Sequence, residues 1–142
     1  MADISFTQNR ELSWLKFDQR VLEEANDRDV PVLERLRFFS IFDTNLEEFF
    51  MVRVGSLTDF KNLKKKPIDS KSGMTSDEQL DAILSECVDL YKQKDQVYAQ
   101  IVDELKVNGI NLLKVSELNE KDKKSVEYYF NTKIEPILNF QV

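Results

Sequence analysis

Between Ser76 and Asn108 the chain runs without a glycine or proline, and its apolar residues return at helical spacing. Leu84, Tyr91, Tyr98 and Leu105 recur every seven residues, interleaved with Leu80, Cys87 and Ile101, and Lys94 interrupts the second series. This spacing predicts one helix over about 76–107, roughly 45 Å long at about 1.5 Å per residue. Ser76 stands as its cap with Gln79 at the box position, and Gly109 just past its end serves as a C′ glycine. A helix that long must bury its seam against other helices. The expected fold is therefore all-α, an antiparallel bundle of four to five helices.

The other segments fit that frame. A first helix is expected over about 7–26, where Leu12, Leu15, Leu22 and Ala25 form one stripe and Trp14, Phe17 and Val21 an adjoining one. The two stripes cover more than half its circumference, so it should be packed on several sides. A second helix opens at Pro31 and is almost wholly apolar, with Glu34, Arg35 and Arg37 on the remaining face. The apolar run stops at Asp43-Thr44-Asn45, and Thr44 with Glu47 reads as the capping box of a third helix that runs to about Leu63. Lys64-Lys65-Lys66-Pro67 ends that helix, and 64–75 reads as a flexible polar loop. Residues 110–113 form a short extended segment. A fifth helix opens at Ser116 or Asn119, carries Val126, Tyr129, Phe130 and Ile134, and stops near Pro136. Residues 1–135 make one helical domain, and 136–142 read as the linker or strand entering a following domain.

Composition restricts the chemistry. The sequence contains no histidine and one cysteine, Cys87. Catalysis through a Ser/His/Asp or Cys/His arrangement, a His-ligated zinc and a phosphohistidine are all excluded within these residues. Three scattered glycines supply neither GxGxxG nor a P-loop. The net charge of −6 disfavours nucleic acid and anionic membranes as partners. All six arginines nevertheless lie within the first 53 residues, where a phosphate or a partner is more readily met. No signal peptide or spanning helix is evident, and a lone cysteine in an apolar stripe suits a cytoplasmic compartment.

Three places invite chemistry. In Phe38–Arg53 a polar break meets a helix start, whose free N–H groups suit an anion or a nucleotide edge, and Asn45 carries the donor and acceptors to read a base. Spacing alone favours an ordinary cap and turn there. The carboxylates Asp43, Glu47, Glu48 and Asp59 offer an oxygen-only, magnesium-like set, although capping and surface charge explain them equally well. Tyr91 and Tyr98 on the long helix read as core or interface rather than as a cofactor site.

Two longer strings carry a resemblance. Asn9-Arg10-Glu11-Leu12-Ser13-Trp14-Leu15-Lys16-Phe17-Asp18-Gln19-Arg20-Val21-Leu22-Glu23-Glu24-Ala25 resembles the opening of the bacterial polyphosphate kinase family, close to RELSWLxFNxRVLxEA. Pro31–Phe38 and Asn45–Val54 resemble that family's P-L-x-E-R-L-x-F and NLDEFFMVRV. Asp18 stands where the pattern has Asn, and Glu47 where it has Asp. Residues 58–142 match in helical pattern only, and their closing TKIEPIL resembles the passage into the family's next domain.

The resemblance implies the N-terminal domain of a large enzyme that moves the γ-phosphate of ATP reversibly onto polyphosphate through a phosphohistidine, with Mg2+. It implies that Asn45 helps close the nucleotide site, and that head and catalytic domains follow in a homo-oligomeric whole. These residues alone would bind no cofactor and be inert. The alternative is a stand-alone helical protein-interaction module.

Overall fold

The computed structural model describes residues 7–61, 63 and 67–139, and every element among them is helical. It divides into two compact units, 1–108 and 109–142.

In the first unit, α1 spans Arg10–Asn26. It is capped by Asn9, whose side-chain oxygen accepts from the amides of Glu11 and Leu12. The Asn9 amide group donates onward to Gln79 Oε1 at 2.8 Å, which ties the start of α1 to the long helix. α2 spans Val32–Glu48 and follows Pro31. α3 spans Gly55–Lys61 and α4 spans Ser76–Val107.

The expected break at 43–45 is absent: α2 passes through it and continues by a π-helical turn, Phe49–Val54, into α3. Asp, Thr and Asn disfavour helix interiors because their side chains compete for the backbone. Here neighbouring helices take two of those side chains, Lys94 pairing with Asp43 and Asp18 accepting from Asn45. At the wide turn, the Ser56 and Thr58 hydroxyls donate to the carbonyls of Val52 and Val54 at 2.7 and 2.8 Å, satisfying backbone that a wider winding loosens.

The core lies where α1, α2 and α4 meet, with Leu15, Leu22, Phe42, Leu46, Ile83 and Ile101 all 3% exposed or less. Arg35, expected on the open face of α2, is 1% exposed. Its Nε donates to the Ala25 carbonyl at 2.8 Å and its guanidinium pairs with Glu104, joining the end of α1 to α4. On α4 the buried stripe is Leu80, Ile83, Cys87, Leu90, Val97, Ile101 and Leu105. Of the other seven-residue series only Leu105 is buried, and Leu84, Tyr91 and Tyr98 are exposed.

The cap of α4 sits one residue earlier than expected: Thr75 and Glu78 form a complete capping box. Gly109 has φ +79°, as a C′ glycine requires. Of the expected loop, 64–66 lies outside the described residues. The remainder is an ordered turn, with Ile68 bridged to Thr75 and Asp69 accepting from the Ser72 hydroxyl at 2.6 Å. That bond holds the Asp69 carboxyl below its usual range, against a smaller opposing effect of burial.

In the second unit, residues 110–114 form no strand. α5 spans Glu120–Tyr129, capped by Asn119, and gives way to a π-helical turn at Phe130–Ile134 and a 3-10 turn at Glu135–Ile137. No described residue of this unit is buried.

Candidate functional site

The two motif strings meet across one groove. From α1 come Trp14 and Phe17; from α2 and the wide turn come Asn45, Glu48, Phe49, Val52 and Arg53, around about 260 Å³. Trp14 stacks on Phe49 with centroids 4.6 Å apart and planes 7° from parallel, and Phe50 meets the Phe49 edge at 5.9 Å. This aromatic base is fixed by packing. Phe17 is different. It is 48% exposed and lines the groove, with the Arg20 guanidinium over its ring, 5.7 Å from the centre. Arg53 stands 3.5 Å from Glu11 and remains one-third exposed.

Asn45 lines the same groove. It is mid-helix, so the expected helix start, with its free N–H groups and positive dipole end, is not what it offers. Its Nδ2 donates to Asp18 Oδ1 at 3.0 Å. Asp18 is wholly buried, and burial pushes its carboxyl up to about 6, against the lowering effect of the Asn45 hydrogen bond. Asp18 Oδ2 has no hydrogen-bond partner.

The other carboxylates do not converge. Asp43 pairs with Lys94, while Glu48 lines the groove. Among the described residues, no three His, Cys, Asp or Glu side chains gather as a metal site requires. Cys87 is buried in the core, and burial first, then Glu86, raises its thiol above the usual value. That is the environment of an unreactive thiol.

Residue spacing did not disclose Asp18, Phe17 or Arg53 as parts of a site. The available signal was the excess apolar width of α1, whose second stripe supplies both Trp14 and Phe17. The groove is thus assembled from the residues of the two recognised strings.

The family model for the polyphosphate kinase N-terminal domain matches residues 7–113. The chain belongs to the polyphosphate kinase family, as its N-terminal domain. It is 39% identical to a polyphosphate kinase of Exiguobacterium sibiricum over 133 residues, covering 94% of this chain and 18% of that protein. It is 43% identical to one of Halalkalibacterium halodurans over 135 residues, covering 94% and 19%. The crystal structure of polyphosphate kinase from Porphyromonas gingivalis superposes with a TM-score of 0.64 at 27% identity, covering 94% of this chain and 20% of that one. The chain thus spans about a fifth of the length of the relatives it matches. Among the described residues, no helix is long and apolar enough to cross a membrane.

Proposed function

We propose that this polyphosphate kinase domain forms one wall of an ATP site in an enzyme that transfers the γ-phosphate of ATP reversibly to inorganic polyphosphate. The observation that carries the reading is Asn45, which lines one groove together with a half-exposed aromatic ring, Phe17, a cation, Arg53, and the carboxylate Glu48. A nucleotide presents complementary features: a flat base, hydrogen-bonding ring edges and an anionic phosphate chain. Phe17 offers the base a stacking face, the Asn45 amide reads its edge, and Arg53 faces the negative charge.

The contribution is one of alignment, since phosphoryl transfer depends mainly on positioning and charge stabilisation. Transfer through a phosphohistidine requires a nucleophile that these 142 residues do not contain, for they include no histidine. The histidine belongs to catalytic domains that follow a dimerising head domain elsewhere in a homo-oligomeric, cytoplasmic whole. Mg2+ bound there would shield the phosphate charge.

Asn45→Ala in the full-length enzyme tests the reading. Losing one or two hydrogen bonds of about 1–2 kcal/mol raises the KM for ATP about five- to thirtyfold, with kcat little changed. Unchanged nucleotide kinetics reject it. The 142-residue chain by itself should transfer no phosphate between ATP and polyphosphate in an assay that follows ADP and polyphosphate, and measurable transfer contradicts the division of labour.

A further inference from the structure

Asp18 makes no contact with the groove, yet it determines what the groove presents. Above about pH 6 Asp18 is ionised, and a carboxylate can only accept hydrogen bonds, so the Asn45 end that faces it must then be the NH2 end. The 3.0 Å bond from Asn45 Nδ2 to Asp18 Oδ1 is therefore a chemical requirement, and the two ends of the amide are not interchangeable. With Nδ2 committed inward, Oδ1 becomes the acceptor that Asn45 shows to a ligand. An uncommitted asparagine reads donors and acceptors equally well by turning over. This one does not turn.

The cost of the arrangement is visible. Asp18 is fully buried, its Oδ2 has no partner, and an uncharged amide of the same shape would fit the same space. A buried polar atom left in this state calls for an explanation beyond packing.

Building on the nucleotide reading above, we infer that Asp18 is a specificity-determining positioning residue: by locking the Asn45 amide it turns the groove toward a 6-amino purine and against a 6-oxo purine. The exocyclic amine of adenine supplies the donor that Asn45 Oδ1 requires. A 6-oxo base brings an acceptor to the same point and leaves two oxygens opposed, a mismatch that a site built on hydrogen bonds rejects strongly.

The test compares ATP with inosine triphosphate, which carries oxygen at the 6-position and no 2-amino group, in the full-length enzyme. In Asp18→Asn the new side chain both donates and accepts, so Asn45 is free to turn. The kcat/KM preference for ATP over inosine triphosphate then falls about tenfold, through KM rather than kcat. Exchanging the pair, Asp18→Asn with Asn45→Asp, returns an acceptor-only group to the groove and restores the preference. Circular dichroism and melting confirm that both variants are folded.

A preference unchanged in Asp18→Asn, or still low in the exchanged pair, overturns the inference while leaving the ATP site standing. An ATP KM unaffected by Asn45→Ala removes the site itself, so the two failures are told apart.

Discussion

A single buried carboxyl gives this domain its most direct dependence on pH. Asp18 is held at about 6 in the fold, against about 4 in an unfolded chain. The folded state thus holds this proton more tightly. Its stabilising contribution is complete below about pH 4 and is lost as the pH rises through 6. Denaturant titrations of the chain from pH 4 to 8 should show a decline of about 2–3 kcal/mol from this group, absent in Asp18→Asn. A wild-type curve as flat as the variant's contradicts the assignment. Asn45 was legible as a residue of interest because its motif is long, but the reason first attached to it was wrong. Capping chemistry and a helix interior rescued by Asp18 look alike until the partner, 27 positions away in sequence, is in place. Arg35 misleads similarly. A strong cation on an apolar helix reads as exposed, and only the Ala25 carbonyl and Glu104 make its burial tolerable.

At the scale of elements, periodicity located the long helix to within a residue but not the face it buries. Leu84-Tyr91-Tyr98 and Leu80-Cys87-Ile101 are adjacent stripes, and spacing cannot say which one meets the bundle. Here Phe39 stacks on Tyr98 at 5.1 Å and Lys94 reaches across to Asp43, which closes the edge of the core and leaves the tyrosines outside. The wide turn at Phe49–Val54 was illegible for another reason: a π turn amounts to one surplus residue in a helix, and an apolar run such as FFMVRV gives no sign of it. Removing Met51, which is 68% exposed, should let the segment close to an α-helix and keep Leu57 in the core. The expected result in the full-length enzyme is a melting temperature within a few degrees of wild type, roughly the effect of 1 kcal/mol or less, with a raised KM for ATP because Val52 and Arg53 leave the groove. A collapse in melting temperature would show that the turn serves folding rather than the site.

Across the whole molecule the two units differ in kind. Residues 10–108 carry the core, whereas no described residue from 109 to 139 is buried, although the second unit holds Leu112, Leu113, Val126, Tyr128, Tyr129 and Phe130. Amide protection follows burial and local packing. Hydrogen exchange of the 142-residue chain should show the helices of 10–108 protected and 109–139 exchanging far faster; equal protection in both contradicts the division. The all-helical class was readable from the sequence because glycine and proline are rare and the apolar spacing is regular. Where the compact part ends was not, since α5 has a caps-and-stripe pattern as regular as its neighbours'.

The two walls of the groove are tied to each other by two polar contacts, Asp18 to Asn45 and Glu11 to Arg53, and by the Trp14–Phe49 stack. All of these ties run between α1 and the continuous stretch from α2 through the wide turn, and none involves α4. The groove therefore behaves as a jaw already braced at a fixed gape. Widening the opening by parting its walls would break the buried Asp18–Asn45 bond and the Trp14–Phe49 stack that give it its shape.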